Sequence, residues 1–124
     1  MEQIQRFCLT LDLRDDAQLM SEYVYWHRPE NIWPEIPEGI KAVGILDMEI
    51  FKLGTRLFMI IKAVPGFDFD RDMGRLATLP RQQAWETFVS RFQQSDPGET
   101  SAGKWKPMDK IFGLSGFIPG NPVE

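Results

Sequence analysis

The sequence predicts an α+β fold whose elements run β-α-β-β-α-β. Three observations carry this. Residues 3–13 alternate apolar and polar side chains, and residues 45–64 hold two strand-like runs around a glycine turn. Residues 17–27 and 68–94 space their apolar side chains at helical intervals. Alternation marks a half-buried strand and a period near 3.6 marks an amphipathic helix.

The first strand, Gln3–Leu13, sets Gln5, Phe7, Leu9, Leu11 and Leu13 on one side and Arg6, Cys8, Thr10 and Asp12 on the other. Arg14-Asp15-Asp16 supplies a turn and carboxylates able to cap a helix. Leu19, Tyr23 and Trp26 then suit a helix from Ala17 to about His27, which Pro29 ends or bends. Trp33-Pro34-Glu35 opens a short second helical piece, Pro37–Val43, closed by Gly44. Ile45–Leu53 and Arg56–Val64 are read as a hairpin turning at Leu53-Gly54-Thr55. Asp68–Gln94 is helical in two parts around Pro80, with Trp85, Phe88, Val89 and Phe92 on one stripe and the Asp68–Asp72 charges at its start. Asp96–Lys104 is a polar loop and Pro107–Leu114 a last strand. Residues 1–114 thus form one domain and 115–124 a Pro/Gly tail. Such a domain is a split β-α-β, ferredoxin-like sheet with helices on one face. The bare face of so small a sheet suggests cover by a second copy, a homodimer.

Composition removes several classes of function. At 124 residues, 43% apolar and 26% charged, the chain matches one ordinary globular domain. A net charge of −4 with interleaved signs does not supply the basic stripe that nucleic acid requires. No apolar run reaches the roughly 20 residues of a membrane span, and Met1–Phe7 lacks signal-peptide character. Cys8 is the single cysteine, read as a small buried strand residue. These features predict a cytoplasmic protein. No metal and no cofactor are expected: His27 is the single histidine, and nearby carboxylates lack ligand spacing. Nor does a serine stand in a nucleophile context.

One dense cluster remains, Tyr23-Val24-Tyr25-Trp26-His27 followed by Trp33-Pro34-Glu35. Tyr23 and His27 are four apart and share a helix face. A phenol and an imidazole beside indoles suit sugar chemistry, because aromatic faces pack on the C–H side of a pyranose and histidine titrates near neutrality. The plainer reading makes Tyr23 and Trp26 core residues and His27 a hydrogen-bonded surface group.

At this cluster the chain resembles the rhamnose mutarotase family, in its fucose mutarotase-like branch. The matching residues include Cys8-Leu9-Thr10-Leu11-Asp12-Leu13, Glu22-Tyr23 with His27, and Ile32-Trp33-Pro34-Glu35-Ile36. Gly44-Ile45-Leu46-Asp47-Met48-Glu49-Ile50, Arg56-Leu57-Phe58-Met59, Trp85-Glu86 and Trp105 with Met108-Asp109-Lys110-Ile111-Phe112 continue the series. The resemblance implies a dimeric α+β barrel binding a free monosaccharide inside each subunit. It implies that His27 is the proton donor, that Tyr23 and Trp85 touch the sugar, and that Met48 takes the place of a strand tyrosine of the rhamnose branch. Ala84 stands where a second helix indole is expected. Both departures favour L-fucose over L-rhamnose. Five residues separate His27 from Trp33, two more than the resemblance implies.

Mutarotation opens a hemiacetal to the free aldehyde and recloses it on the other face. The expectation is His27 as the acid, Tyr23 orienting the sugar or relaying a proton, and Trp33 as a sugar platform or a helix anchor. The base is open: Asp47 and Glu49 share one strand face, opposite Met48 unless a bulge intervenes. Trp105 and Phe112 are assigned to core or dimer contacts. The same barrel also suits a cofactor-free oxygenase, a heme-associated dimer or a non-catalytic ligand-binding protein, which are the alternatives.

Overall fold

The computed structural model describes residues 3–95 and 100–117. Strands β1 (Gln5–Asp12), β2 (Ile45–Leu53), β3 (Arg56–Ala63) and β4 (Lys106–Pro107) form one antiparallel sheet in the order β2-β3-β1-β4. Helices α1 (Ala17–Trp26), α2 (Glu35–Ala42), α3 (Phe69–Leu76), α4 (Gln82–Ser90) and the short α5 (Ser101–Lys104) complete the domain. This is the expected α+β order.

Register explains which sheet face the helices cover. Leu9 and Leu11 lie beside Met59 and Leu57 across the β1–β3 ladder, and all four are buried. Their neighbours Arg6, Cys8, Thr10 and Asp12 point the other way and are exposed or half-buried. Cys8 is therefore half-buried on the outer face, not a core residue. Full burial of each such leucine or isoleucine contributes roughly 1.5–3 kcal/mol.

Local chemistry sets the element ends. Asp16 caps α1, its side chain accepting from the Leu19 N–H at 2.9 Å. Asp68 caps α3 through the Arg71 N–H at 2.8 Å. Asp72 is buried and paired with Arg71 and Arg75 at 2.9 and 2.8 Å, and the Arg71 guanidinium holds its carboxyl well below the usual range. Gly54, at φ 58, takes the first central position of a two-residue type II′ turn between Leu53 and Arg56.

The C-terminal third differs from expectation. The last strand is Lys106–Pro107, not Pro107–Leu114. Pro107 has no N–H to donate, and after one further bond, Met108 N–H to the Cys8 carbonyl at 2.8 Å, the ladder stops. Ile111, Phe112 and Leu114 are exposed, and Leu114–Phe117 forms a 3₁₀ turn. Within the segment read as a polar loop, Ser101–Lys104 is helical and Lys104 is buried; residues 96–99 lie outside the described residues. Most of the tail, 118–124, does too. No helix of the described residues is long and apolar enough to cross a membrane.

Candidate active site

The site begins at the end of α1. Tyr23 is buried on its core face, and His27 follows directly after its last residue, Trp26. Their rings stack with centroids 4.1 Å apart and planes inclined by 33°. The His27 Nδ1 stands 2.7 Å from the Tyr23 carbonyl oxygen. A carbonyl only accepts, so Nδ1 carries the proton and Nε2 is left for other work. Burial pulls the imidazole below its ordinary value of 6.5, against the raising influence of that hydrogen bond. At neutral pH the ring is therefore uncharged and Nε2 presents a lone pair.

The longer link after His27 folds on itself. Asn31 N–H and Ile32 N–H both reach the Arg28 carbonyl at 2.9 Å, and Asn31 Nδ2 donates to the Tyr25 carbonyl at 2.9 Å. Its extra length is absorbed in a closed turn that also satisfies a helix-end carbonyl.

From α4, the Trp85 indole meets the His27 ring edge-on at 5.3 Å. Trp33 packs behind it, 5.1 Å from Trp85 and 5.4 Å from Phe88. The Arg81 guanidinium lies 4.1 Å above Trp33 and reaches the Glu35 carboxylate at 3.4 Å. Arg81 adopts the left-handed conformation, φ 64, after Pro80. Such a backbone costs about 1–2 kcal/mol, and the stacking and ion pair help to hold it.

Between the covered sheet face and the helices lies a cavity of about 660 Å³. Tyr23, His27, Met48 and Trp85 all line it, whereas Trp33 does not. Met48 arrives from β2 by way of a bulge. Ile45 pairs with Ala63 but Asp47 with Lys62, so Leu46 is the extra residue and the alternation shifts by one. Ile45 and Met48 consequently face the same side. Glu49 pairs with Ile60 on the outer face, and Asp47, exposed, meets the cavity only beside the bulge. Ala84 is exposed on α4 and outside the lining. Of the two substitutions relative to the rhamnose branch, only Met48 therefore touches the cavity.

Of the polar lining residues absent from the expected set, three are buried: Gln82, Glu86 and Gln93. Gln82, Trp85, Glu86 and Val89 make one helical stripe, so polar residues at core spacing were the available signal. Burial pushes the Tyr23 phenol well up, the Gln93 side chain hydrogen-bonded to it pulls down, and the Glu86 charge raises it again. The phenol stays protonated. Lys104, itself buried, donates to the Glu86 backbone carbonyl at 2.8 Å. Trp105 is buried and lines the cavity, while Phe112 is exposed. Among the described residues no three His, Cys, Asp or Glu side chains gather as metal ligands.

The arrangement, one neutral imidazole and one phenol on an indole wall, is fitted to move a proton on a small polyol. Residues 6–114 match the model of the L-rhamnose mutarotases. The chain belongs to the L-rhamnose mutarotase family. It is 42% identical over 112 residues to an L-fucose mutarotase of Xanthomonas campestris pv. campestris, with 90% of each chain covered. It is 37% identical over 115 residues, again with 90% of each covered, to a UPF0734 protein of Dictyostelium discoideum. The L-rhamnose mutarotase structure from Formosa agariphila superposes with a TM-score of 0.66 at 18% identity, covering 89% of this chain and 98% of that one. That likeness shows the shared fold. As a mutarotase-family chain this protein falls among carbohydrate isomerases, enzymes that interconvert anomers of free sugars.

Proposed function

We propose that the chain is a mutarotase for a free deoxyhexose, with L-fucose preferred over L-rhamnose, working in the cytoplasm. The observation that carries the reading is the stacked Tyr23–His27 pair beside Trp85 on one cavity, its imidazole neutral and its phenol protonated. The 42% identical L-fucose mutarotase and the apolar Met48 on the cavity wall support the choice of sugar.

In the proposed step, His27 Nε2 takes the proton of the anomeric hydroxyl. The C1–O5 bond then breaks, C1 becomes the aldehyde carbon, and the imidazolium returns the proton to O5. Rotation about C1–C2 and the reverse sequence close the other anomer. His27 thus enters as base and leaves as acid, while Tyr23 donates a hydrogen bond that orients the sugar. Trp85 offers a flat face to the pyranose C–H groups.

Saturation-difference NMR on the anomeric protons of L-fucose, D-galactose and L-rhamnose tests the sugar. Faster exchange of L-fucose or D-galactose than of L-rhamnose is expected, and equal rates for L-fucose and L-rhamnose would remove the assignment. The pH profile tests the protonation state. Because burial lowers the imidazole pKa, catalysis should be level through neutrality and fall as pH drops below 6.5 through the depressed value. The same sign holds for stability, since a histidine buried neutral loses its contribution as pH falls through that window. An exchange rate that rises with acid, after subtracting the uncatalysed rate, would instead make the imidazolium the working form.

The functional unit is proposed to be a homodimer formed through the outer sheet face. Phe51 and Leu53 of β2 and Met108 beyond β4, at the two opposite edges of the sheet, are exposed at 51%, 84% and 49%, apolar side chains that a second copy across the outer face would cover. Sedimentation equilibrium should give twice the chain mass of 14.4 kDa at micromolar concentration; a monomer there would end the dimer proposal.

A further inference from the structure

Among the described residues, Gln93 carries the one fully buried side-chain oxygen or nitrogen of the cavity lining that has no hydrogen-bond partner. The residue follows α4 and is fixed by a bridge to Leu13 and by its own N–H, which donates to the Ser90 carbonyl at 3.2 Å. It is 2% exposed and lines the cavity beside Tyr23. Its side chain hydrogen-bonds the Tyr23 hydroxyl. Yet its carbonyl oxygen, Oε1, has no partner among the described residues. A buried amide oxygen left so is costly, and native structures keep few such groups without a functional reason.

We infer that Gln93 is a sugar-binding residue, whose amide N–H holds the Tyr23 hydroxyl while its Oε1 accepts a hydrogen bond from a hydroxyl of the bound sugar. This rests on the sugar reading of the cavity proposed above. The neighbouring lining is consistent with the assignment. Leu9, Leu57 and Trp105, which also line the cavity, offer a sugar hydroxyl no side-chain acceptor and Met59 only a weak thioether one, which leaves the amide oxygen and the Glu86 carboxylate as the acceptors of the buried lining near Tyr23. A site built around such an acceptor rejects analogues lacking the hydroxyl far more sharply than an apolar pocket rejects a lost methylene. Gln93 is thus a selectivity determinant on the wall next to the His27–Tyr23 pair, and it takes no part in proton transfer.

The test is Gln93→Leu, which keeps the volume and removes both amide groups, with Gln93→Met as a second variant should leucine fail to fold. Thermal unfolding should give a melting temperature close to that of the parent, because removal of the unpaired Oε1 offsets loss of the amide bond to the Tyr23 hydroxyl. KM for L-fucose should rise about tenfold with kcat changed much less, the loss of one hydrogen bond. Monodeoxy analogues of the sugar should then identify the partner: one of them binds parent and variant equally, because the bond is already missing in both. A well-folded variant with parental KM would overturn the inference and leave Oε1 to an ordered water. Should the parent protein exchange no sugar, saturation-transfer binding of L-fucose by both proteins decides the case. Equal binding overturns the inference, and weaker binding by the variant upholds it while the mutarotase reading alone falls.

Discussion

His27→Ala should lower catalysed anomer exchange by about 10²-fold or more while leaving a folded protein. The magnitude is that of one positioned proton-transfer group. The fold should survive because His27 sits just past the end of α1 and its side chain bonds only locally, to the Tyr23 carbonyl four residues back. Tyr23→Phe keeps the ring stacked on His27 and packed on Phe92, and should cost several-fold in exchange at most. If His27 were merely a structural residue the pattern would invert: a lower melting temperature with near-parental exchange per folded molecule. Circular dichroism and anomeric saturation-difference NMR on both variants separate the two outcomes.

Most of the fold could be read from the chain because its signals are local. Period-two alternation over β1, glycine at the β2–β3 turn and carboxylates before α1 and α3 each act within a few residues. The last strand was overestimated because its length depends on what β1 can still pair with, and Pro107 cuts that short. In the site, Tyr23 with His27 was legible from four-residue helical spacing. Met48 is a different case. Strict alternation from the buried Ile45 would turn Asp47 and Glu49 inward and Met48 outward; the unpaired Leu46 reverses this, and nothing in its own side chain announces a bulge. The resemblance to a family placed Met48 on the cavity where periodicity alone would not. Gln93 was out of reach for a related reason, since its position depends on a bridge to Leu13 across the domain. Glu86 and Gln82 were within reach, but beside Trp85 and Val89 their spacing reads first as core.

Trp85 joins packing and chemistry, and Trp85→Ala should therefore fail in two measurable ways. The indole is 5% exposed and touches His27, Trp33 and Phe88 at centroid distances of 5.3, 5.1 and 5.9 Å. Truncating a buried aromatic of this size typically costs about 3–5 kcal/mol, which in a domain of this length lowers the melting temperature by more than about 10 °C. The loss extends beyond the cavity left behind, because Trp33 stacks on Trp85 and Arg81, in its left-handed conformation, stacks on Trp33. Removing the middle ring loosens the start of α4 and the link that carries His27. Trp85→Phe separates the two roles. It retains a flat apolar ring at the same place, so it should recover most of the stability and much of the sugar affinity. Urea unfolding supplies the first quantity, and KM for L-fucose measured at a temperature where each variant is fully folded supplies the second. Trp85→Ala with parental KM under those conditions would reduce Trp85 to a packing residue and remove it from the sugar platform, while leaving the expected loss of stability in place.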